Sequence, residues 1–390
     1  MDNFTFYAPT YFDFGKGAQN HVGELVRRFG GSKVLLHYGG GSIKKSGLYD
    51  TVVKCLKDEK IEFVELGGVK PNPRSGLVYE GIELCRKENV DFILAVGGGS
   101  TIDSSKAIAA GTLYDGDFWD FHEGKTITKA IPIGTILTIA AAGSEGSPNC
   151  VITKEEGMLK RGARSDLLRP KFSILNPELT CTLPPYQAAA GITDIMIHII
   201  ERYFTTTENV EATDRLCEGL LKTMIQEGKK AMANPKDYDA RANIMWTGML
   251  AHNNVCGVGR VQDWASHGLE HELSALYDVA HGAGLAVMAP VWMRYVLEKK
   301  PERLVSFAVR VWNIELDIND YHATAIKGIE AFEQFLHGLG MPSTFEEVGG
   351  REEDIPHMAD NIIASKGSLG GYVKLNREDI IKIYHNAMEG

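Results

Sequence analysis

At 390 residues the chain exceeds one typical domain and has room for two, each with its own core. A hydrophobic share of 44 % and a charged share of 24 % are ordinary globular values and exclude a disordered chain. The formal net charge of -10 speaks against a broad nucleic-acid-binding face, while leaving room for a local basic pocket that takes a phosphate. The six cysteines (Cys55, Cys85, Cys150, Cys181, Cys217 and Cys256) are scattered and form no C-x-x-C pair. Reduced thiols in the cytoplasm therefore fit better than a disulfide framework or a cysteine zinc site. The start, Met1-Asp2-Asn3-Phe4-Thr5-Phe6, lacks the basic and apolar stretches of a signal peptide. Apolar runs stop short of the ~20 residues that a membrane span needs, so no membrane partner is expected.

In chain order, Lys33–Tyr38 reads as a strand that ends in Gly39-Gly40-Gly41-Ser42, and the amphipathic stretch to about Glu59 reads as helix. Glu62–Leu66 is a second strand, followed by the loop Lys70-Pro71-Asn72-Pro73. A helix through Leu84 leads to Phe92-Ile93-Leu94-Ala95-Val96, an apolar run suited to a strand buried on both faces. It stops at Gly97-Gly98-Gly99-Ser100, and a helix through Ala110 follows. Ala130–Ile133 and Lys171–Leu175 read as later strands. This alternation predicts a parallel sheet with helices on both sides. After Pro184-Pro185 helical periodicity dominates, which puts a domain boundary there. Lys366–Gly371 reads as a surface loop.

Two glycine turns and two histidine-bearing helices carry the chemistry. Gly97, Gly98, Gly99 and Ser100 lie between a buried strand and a helix, where glycine permits close backbone approach or a positive φ and the helix N-terminus offers free N–H groups to a pyrophosphate. Ser100 and Thr101 supply hydroxyls, and Asp103 can cap the turn or bond a ligand hydroxyl. The run is neither G-x-G-x-x-G nor a P-loop, and an unliganded βα turn explains it equally well. Gly39, Gly40, Gly41 and Ser42 carry no carboxylate to repel a ribose 2′-phosphate, and Ser42, Lys44 and Lys45 could bind one; a solvated basic turn is the plainer reading of the lysines. Asp194 and His198 are four apart on one helix face in an otherwise apolar stretch, so the charged Asp194 needs a strong partner. His267 and His271 form a second such pair, and His281 follows shortly. A carboxylate with imidazoles suits Fe²⁺ or Zn²⁺, but each pair alone could be a salt bridge or capping chemistry, and spacing does not join them into one site.

With those motifs assembled, the chain resembles the iron-containing (group III) alcohol dehydrogenase family over essentially its whole length. The resemblance rests on Gly97-Gly98-Gly99-Ser100-Thr101-Ile102-Asp103-Ser104-Ser105-Lys106, Gly143-Ser144-Glu145, Asp194-x-x-x-His198, His267-x-x-x-His271 and Ala280-His281-Gly282-Ala283. Tyr38–Lys45, Lys70–Pro73, Arg241–Trp246 and Gln262–Ala265 make it most similar to the butanol dehydrogenase and broad aldehyde reductase branch.

The resemblance implies an α/β dinucleotide-binding domain with a Rossmann-like parallel sheet over residues 1–185 and an all-α metal and substrate domain over 186–390, with nicotinamide and substrate in the cleft between them. It implies one divalent metal, Fe²⁺ or Zn²⁺, on Asp194, His198, His267 and His281, and a proton-exchange role for His271. For the cofactor it implies Gly97, Gly98, Gly99, Ser100 and Asp103 at the pyrophosphate, and Thr138 and Lys160 facing the dinucleotide. Thr182 and Leu183 would lie beside a ribose, and Gly39, Gly40, Gly41 and Ser42 around the adenosine ribose. No Asp stands in that last turn, which leans towards NADP(H) over NAD(H). The reaction implied is hydride transfer between the nicotinamide and a primary alcohol/aldehyde pair such as butanol and butanal, in a cytoplasmic homodimer. Two departures stand out: Thr138-Ile139-Ala140-Ala141-Ala142 replaces a threonine- and glycine-rich approach to Gly143, and Ile195 replaces a small residue after Asp194. A non-redox lyase on the related dehydroquinate-synthase architecture would need more basic residues beside the metal motifs, and a catalytically dead relative would not be expected to keep all four ligands.

Overall fold

The computed structural model describes residues 1–389. The chain divides into two units, Tyr7–Leu183, and Met1–Phe6 together with Pro184 onward.

In the first unit six strands build one parallel sheet in the order β1-β8-β5-β4-β2-β3: β1 (Tyr11–Phe14), β2 (Lys33–Tyr38), β3 (Glu62–Leu66), β4 (Phe92–Gly97), β5 (Ile133–Leu137) and β8 (Phe172–Leu175). The connecting helices are α1 (Val22–Arg28), α2 (Ser42–Lys45), α3 (Leu48–Asp58), α4 (Ser75–Glu88) and α5 (Gly99–Thr112). Alternate residues along the central strands feed two apolar clusters. Leu35 and Ile93 join the one packed around α4 and α5, while Val34, Leu36, Phe92, Leu94 and Val96 join the one around α1 and α3. Burial on both faces is why these strands read as continuous apolar runs.

Three features differ from the sequence reading. The fourth predicted strand begins at Ile133 rather than Ala130, because Pro132 cannot donate to a central ladder. The edge strand β1 has no apolar run, and its residues are exposed or half-buried. The hairpin β6 (Asn149–Lys154) and β7 (Leu159–Arg164) is not among the strands expected; β7 carries Lys160, Arg161 and Arg164 and so gives little strand signal.

Connectivity creates one crevice. β3 lies on one side of β2, and the chain then returns to place β4 on the other side, from where α5 leads away to β5. β2 and β4 are thus neighbours whose following loops run in opposite directions, the arrangement in which open parallel sheets bind ligands at the carboxyl ends of their strands. Gly39 follows β2, and Gly98 follows β4.

The second unit is helical: α6 (Pro185–Tyr203), α7 (Glu211–Ala233), α8 (Tyr238–His252), α9 (Ala265–Tyr277), α10 (His281–Leu297), α11 (Glu302–Trp312), α12 (Tyr321–Gly338), α13 (Ile355–Lys366) and α14 (Arg377–Glu389). α6 starts at a proline, which has no N–H to leave unpaired there. It is buried continuously from Ala188 to Tyr203, with α7, α8, α9 and α10 packed around it. Lys366–Gly371 is not a plain surface loop. Leu369 is buried and exchanges two backbone hydrogen bonds with Leu375, and the Gly371 N–H donates to Asp263. Among the described residues no helix is long and apolar enough to cross a membrane.

A buried histidine ties the sheet to α5. His37 Nδ1 donates to the Leu66 carbonyl at 2.8 Å, and Nε2 accepts from Ser104 Oγ at 2.9 Å. Burial holds its pKa down to about 4, so the ring is neutral. A depressed folded-state pKa means that the unfolded chain takes up the proton first as pH falls. The stabilisation should be complete above 6.5 and fade towards about 4. The loss should amount to about 3 kcal/mol. Urea unfolding of wild type and His37→Asn on both sides of that window should show the gap between them closing in acid; a constant gap would contradict it.

Candidate functional site

The carboxyl edge of the sheet gathers the predicted dinucleotide residues. α5 begins at Gly99, with Gly98 extended as its N-cap. None of Gly39, Gly40, Gly41, Gly97, Gly98 or Gly99 has a positive φ, so close approach rather than left-handed backbone explains them. A Cβ on Gly97 would lie 2.4 Å from Thr101 Oγ1, and one on Gly98 would lie 3.1 Å from Ile139. Gly40 and Gly41 face open space. The two turns are close: a Cβ on Gly39 would sit 3.9 Å from Thr101 Oγ1. Thr138 follows β5, and its N–H donates to the Gly97 carbonyl at 3.0 Å. Lys160, on β7, donates to Asn72 Oδ1 at 3.0 Å, and the hairpin is tied to the same loop by Thr153 N–H donating to the Pro73 carbonyl. Ser42 opens α2, and Thr182 and Leu183 end the unit beyond β8.

Asp103 is bonded within the unit. Its carboxylate accepts from Ser144 Oγ at 2.5 Å and from the Val151 N–H at 2.9 Å. The fully buried Lys106 donates to the carbonyls of Ser144, Ser147 and Asn149 at 2.7, 3.0 and 2.8 Å. Burial raises the Asp103 pKa and lowers that of Lys106 to about 8. Together they clamp the loop between β5 and β6. Glu145 in that loop is buried too, which pushes its carboxyl up to about 7. Of the two lysines after the first turn, Lys44 lies 5.2 and 4.8 Å from the ring centroids of Tyr38 and Tyr49, whose hydroxyls both donate to Glu65. Lys45 is exposed.

In the helical unit the two histidine pairs meet. Asp194 Oδ1 lies 3.3 Å from His198 Nε2 and 3.8 Å from Nε2 of both His267 and His281. Asp194 and His198 share one face of α6, His267 sits one turn into α9, and His281 is the first residue of α10. Asp194 Oδ1, His198 Nε2 and His267 Nε2 are buried and have no hydrogen-bond partner. Leaving such groups unpaired is costly, and three imidazole nitrogens converging on one carboxylate oxygen would satisfy a divalent cation. His271 is half-buried on α9 with its ring 5.7 Å from that of His281 and 6.4 Å from that of His267.

Two carboxylates that the sequence reading passed over complete the cluster. Glu201 accepts from His267 Nδ1 with one oxygen and from the His267 backbone N–H at 3.1 Å with the other. Glu270 accepts from His281 Nδ1 and from Ser274 Oγ. Both glutamates are fully buried. The available signal was spacing: Glu201 continues the Asp194, His198 face at i+7. Burial opposes protonation of His267, but Glu201 and Asp194 outweigh it and raise its pKa to about 9, so a cation there displaces a proton. Burial, with His252, His267 and Arg202 nearby, keeps His198 far below its usual value and neutral. Asp263 caps the start of α9 by accepting from Ala265 N–H at 2.8 Å, which seats His267.

Residues 9–177 match the model of the iron-containing alcohol dehydrogenases, and residues 188–388 match that of the C-terminal region of the same family. The chain belongs to the iron-containing alcohol dehydrogenase family. Within it the relatives are of the butanol dehydrogenase and aldehyde reductase branch, and the chain is an oxidoreductase of that type. It is 44% identical over 387 residues to NADH-dependent butanol dehydrogenase A of Clostridium acetobutylicum, covering 98% of this chain and 99% of the relative. It is 38% identical over 360 residues to the NADPH-dependent aldehyde reductase YqhD of Escherichia coli, covering 91% and 92%. The crystal structure of NADH-dependent butanol dehydrogenase A from Thermotoga maritima superposes with a TM-score of 0.96 at 44% identity, covering 100% of this chain and 99% of that one. The alcohol dehydrogenase fold, a parallel Rossmann-like sheet followed by helices, is therefore the one expected from the sequence.

Helix packing sets where this dehydrogenase places His281. A Cβ on the next residue, Gly282, would lie 1.9 Å from the Ala190 carbonyl oxygen, and backbone cannot yield cheaply. Gly282→Ala should displace the start of α10 from α6, lower stability by about 1–3 kcal/mol and reduce bound divalent metal. Gly219→Ala on α7 meets nothing within 4 Å and should be neutral or stabilising. Metal-to-protein ratios and melting temperatures of the two variants check the contrast.

Proposed function

We propose that the chain is a divalent-metal-dependent, NADPH-preferring enzyme that interconverts a primary alcohol and its aldehyde, such as butanol and butanal. The observation that carries this reading is the convergence of Asp194 Oδ1 with Nε2 of His198, His267 and His281. Those four residues would hold Fe²⁺ or Zn²⁺; the metal supplies Lewis acidity to a substrate oxygen and the nicotinamide supplies or takes the hydride. The chain's own contribution is orientation and electrostatics. Gly97, Gly98, Gly99 and Ser100 present the α5 N-terminus to a pyrophosphate. Thr138, Lys160, Thr182 and Leu183 line the remaining dinucleotide path, and Asp103 secures the neighbouring loop. His271, beside but outside the ligand group, exchanges the alcohol proton with solvent. The relatives' names support the substrate class, and six scattered cysteines with no C-x-x-C pair fit a cytoplasmic setting. Exposed Tyr7, Tyr11 and Phe14, on and before the edge strand β1, fit an interface in a homodimer.

The two histidine roles separate by experiment. His281→Ala should lose metal and nearly all butanal reduction, whereas His271→Ala should keep its metal and lose rate or change its pH dependence. Metal analysis beside steady-state rates decides: a His281→Ala enzyme with full metal, or a His271→Ala enzyme without it, overturns the assignment.

Cofactor choice rests on the turn after β2. Gly40 and Gly41 leave space and no negative charge, and Ser42 and Lys45 are exposed beside them. A charge-assisted contact to a 2′-phosphate contributes about 1.5–3 kcal/mol, so NADPH should be preferred by about tenfold or more in kcat/KM. Gly40→Asp should reverse the order by repelling the phosphate. A wild type that favours NADH, or an unchanged ratio in the variant, would show that this turn does not read the phosphate.

A further inference from the structure

We infer that Glu201 and Glu270 are positioning residues that set how tightly the metal is retained, and that they divide the three histidines into two strong donors and one weak one. The inference rests on the metal reading of Asp194, His198, His267 and His281. His267 and His281 each pass Nδ1–H to a carboxylate that is 0 % exposed. That bond leaves Nε2 of each ring as the lone-pair nitrogen, and it is Nε2 that faces Asp194 Oδ1. A full negative charge on the far side of an imidazole increases its donor strength towards a cation. His198 has no such backing: its Nδ1 is buried without a hydrogen-bond partner, and its ring packs 4.3 Å from that of His252.

The two glutamates are themselves fixed. Glu201 spends its second oxygen on the His267 backbone N–H, so ring and backbone of one ligand are held by one carboxylate. Glu270 spends its second oxygen on Ser274 Oγ, one turn further along α9. Arg202, next to Glu201, directs its guanidinium to the His198 carbonyl at 2.6 Å and to His252 Nδ1 at 2.9 Å.

Glu270→Gln keeps an acceptor for His281 Nδ1–H, because the Ser274 hydroxyl can turn to accept from the new amide, but removes the charge. Glu201→Gln also keeps an acceptor for His267 Nδ1–H and removes the charge, at the cost of the bond to the His267 backbone N–H. Each should release bound metal to a chelator about 10–100-fold faster than wild type. Each should also shift the visible ligand-field bands of the Co²⁺-substituted protein. Glu218→Gln is the control: Glu218 is a buried carboxylate of the same unit that bonds Tyr203, Arg215 and Arg310 and touches no histidine. It should leave release rate and Co²⁺ spectrum unchanged even if it lowers the melting temperature. Glu201→Asp, which keeps the charge, should recover part of the retention that Glu201→Gln loses. Wild-type release rates and spectra in both glutamine variants would overturn the inference, as would equal acceleration by Glu218→Gln. Failure of wild-type protein to retain a divalent metal would instead remove the metal reading on which it rests.

Discussion

A carboxylate oxygen without a hydrogen bond, enclosed by helices, is the constraint around which the second unit is arranged. Asp194 lies on a stretch of α6 buried at every position from Ala188 to Tyr203. Taking an ionised group out of water is expensive unless something of opposite charge meets it. The groups that approach Asp194 Oδ1 are imidazole nitrogens from α6, α9 and α10. Behind two of them stand further buried carboxylates, so negative charge accumulates where an apolar core would normally exclude it. A divalent cation would offset that excess as no hydrogen bond could. The helix contacts follow from the need to bring three elements to one point. Gly282 lets α10 touch the backbone of α6, and Asp263 fixes the first turn of α9 beside Trp264, whose backbone is left-handed.

The first unit answers a different demand, that of presenting backbone N–H groups and space at one edge of a sheet. Its glycines act by leaving out side chains where Thr101 and Ile139 already stand. A buried ion network takes over the work of rigidity. Lys106 binds the carbonyls of Ser144, Ser147 and Asn149, and Asp103 holds Ser144 in the loop after β5 and Val151 on β6. The alanines at 140–142 precede the residues that this network anchors.

Much of this architecture is legible in the chain itself. Apolar runs of five or six residues ending in glycine announce strands buried on both faces, because a strand covered by helices has no polar face to alternate with. The proline pair at 184–185 marks the change to helix, because proline starts a helix without losing a bond. Spacing of four puts Asp194 with His198, and His267 with His271, on common helix faces, because the helix repeat makes it so. The weak strands escaped for equally physical reasons. β1 is a half-exposed edge, and β7 carries three charged residues on a short two-stranded hairpin.

What spacing could not decide is which atoms meet. Periodicity within α9 treats His267 and His271 alike, yet the ring of His267 turns to Asp194 while that of His271 stays beside the cluster. Only the crossing of α6, α9 and α10 distinguishes them. The same holds for Glu201 and Glu270, which read locally as ordinary helix glutamates and become histidine partners through burial. Asp103 likewise reads locally as a residue of the turn after β4, and only the packing shows its oxygens bonded to Ser144 and to Val151 of β6. Local rules reach one turn of helix or one strand along the chain. Long-range packing decides the rest, because the direction of a buried side chain is set by the elements that close around it.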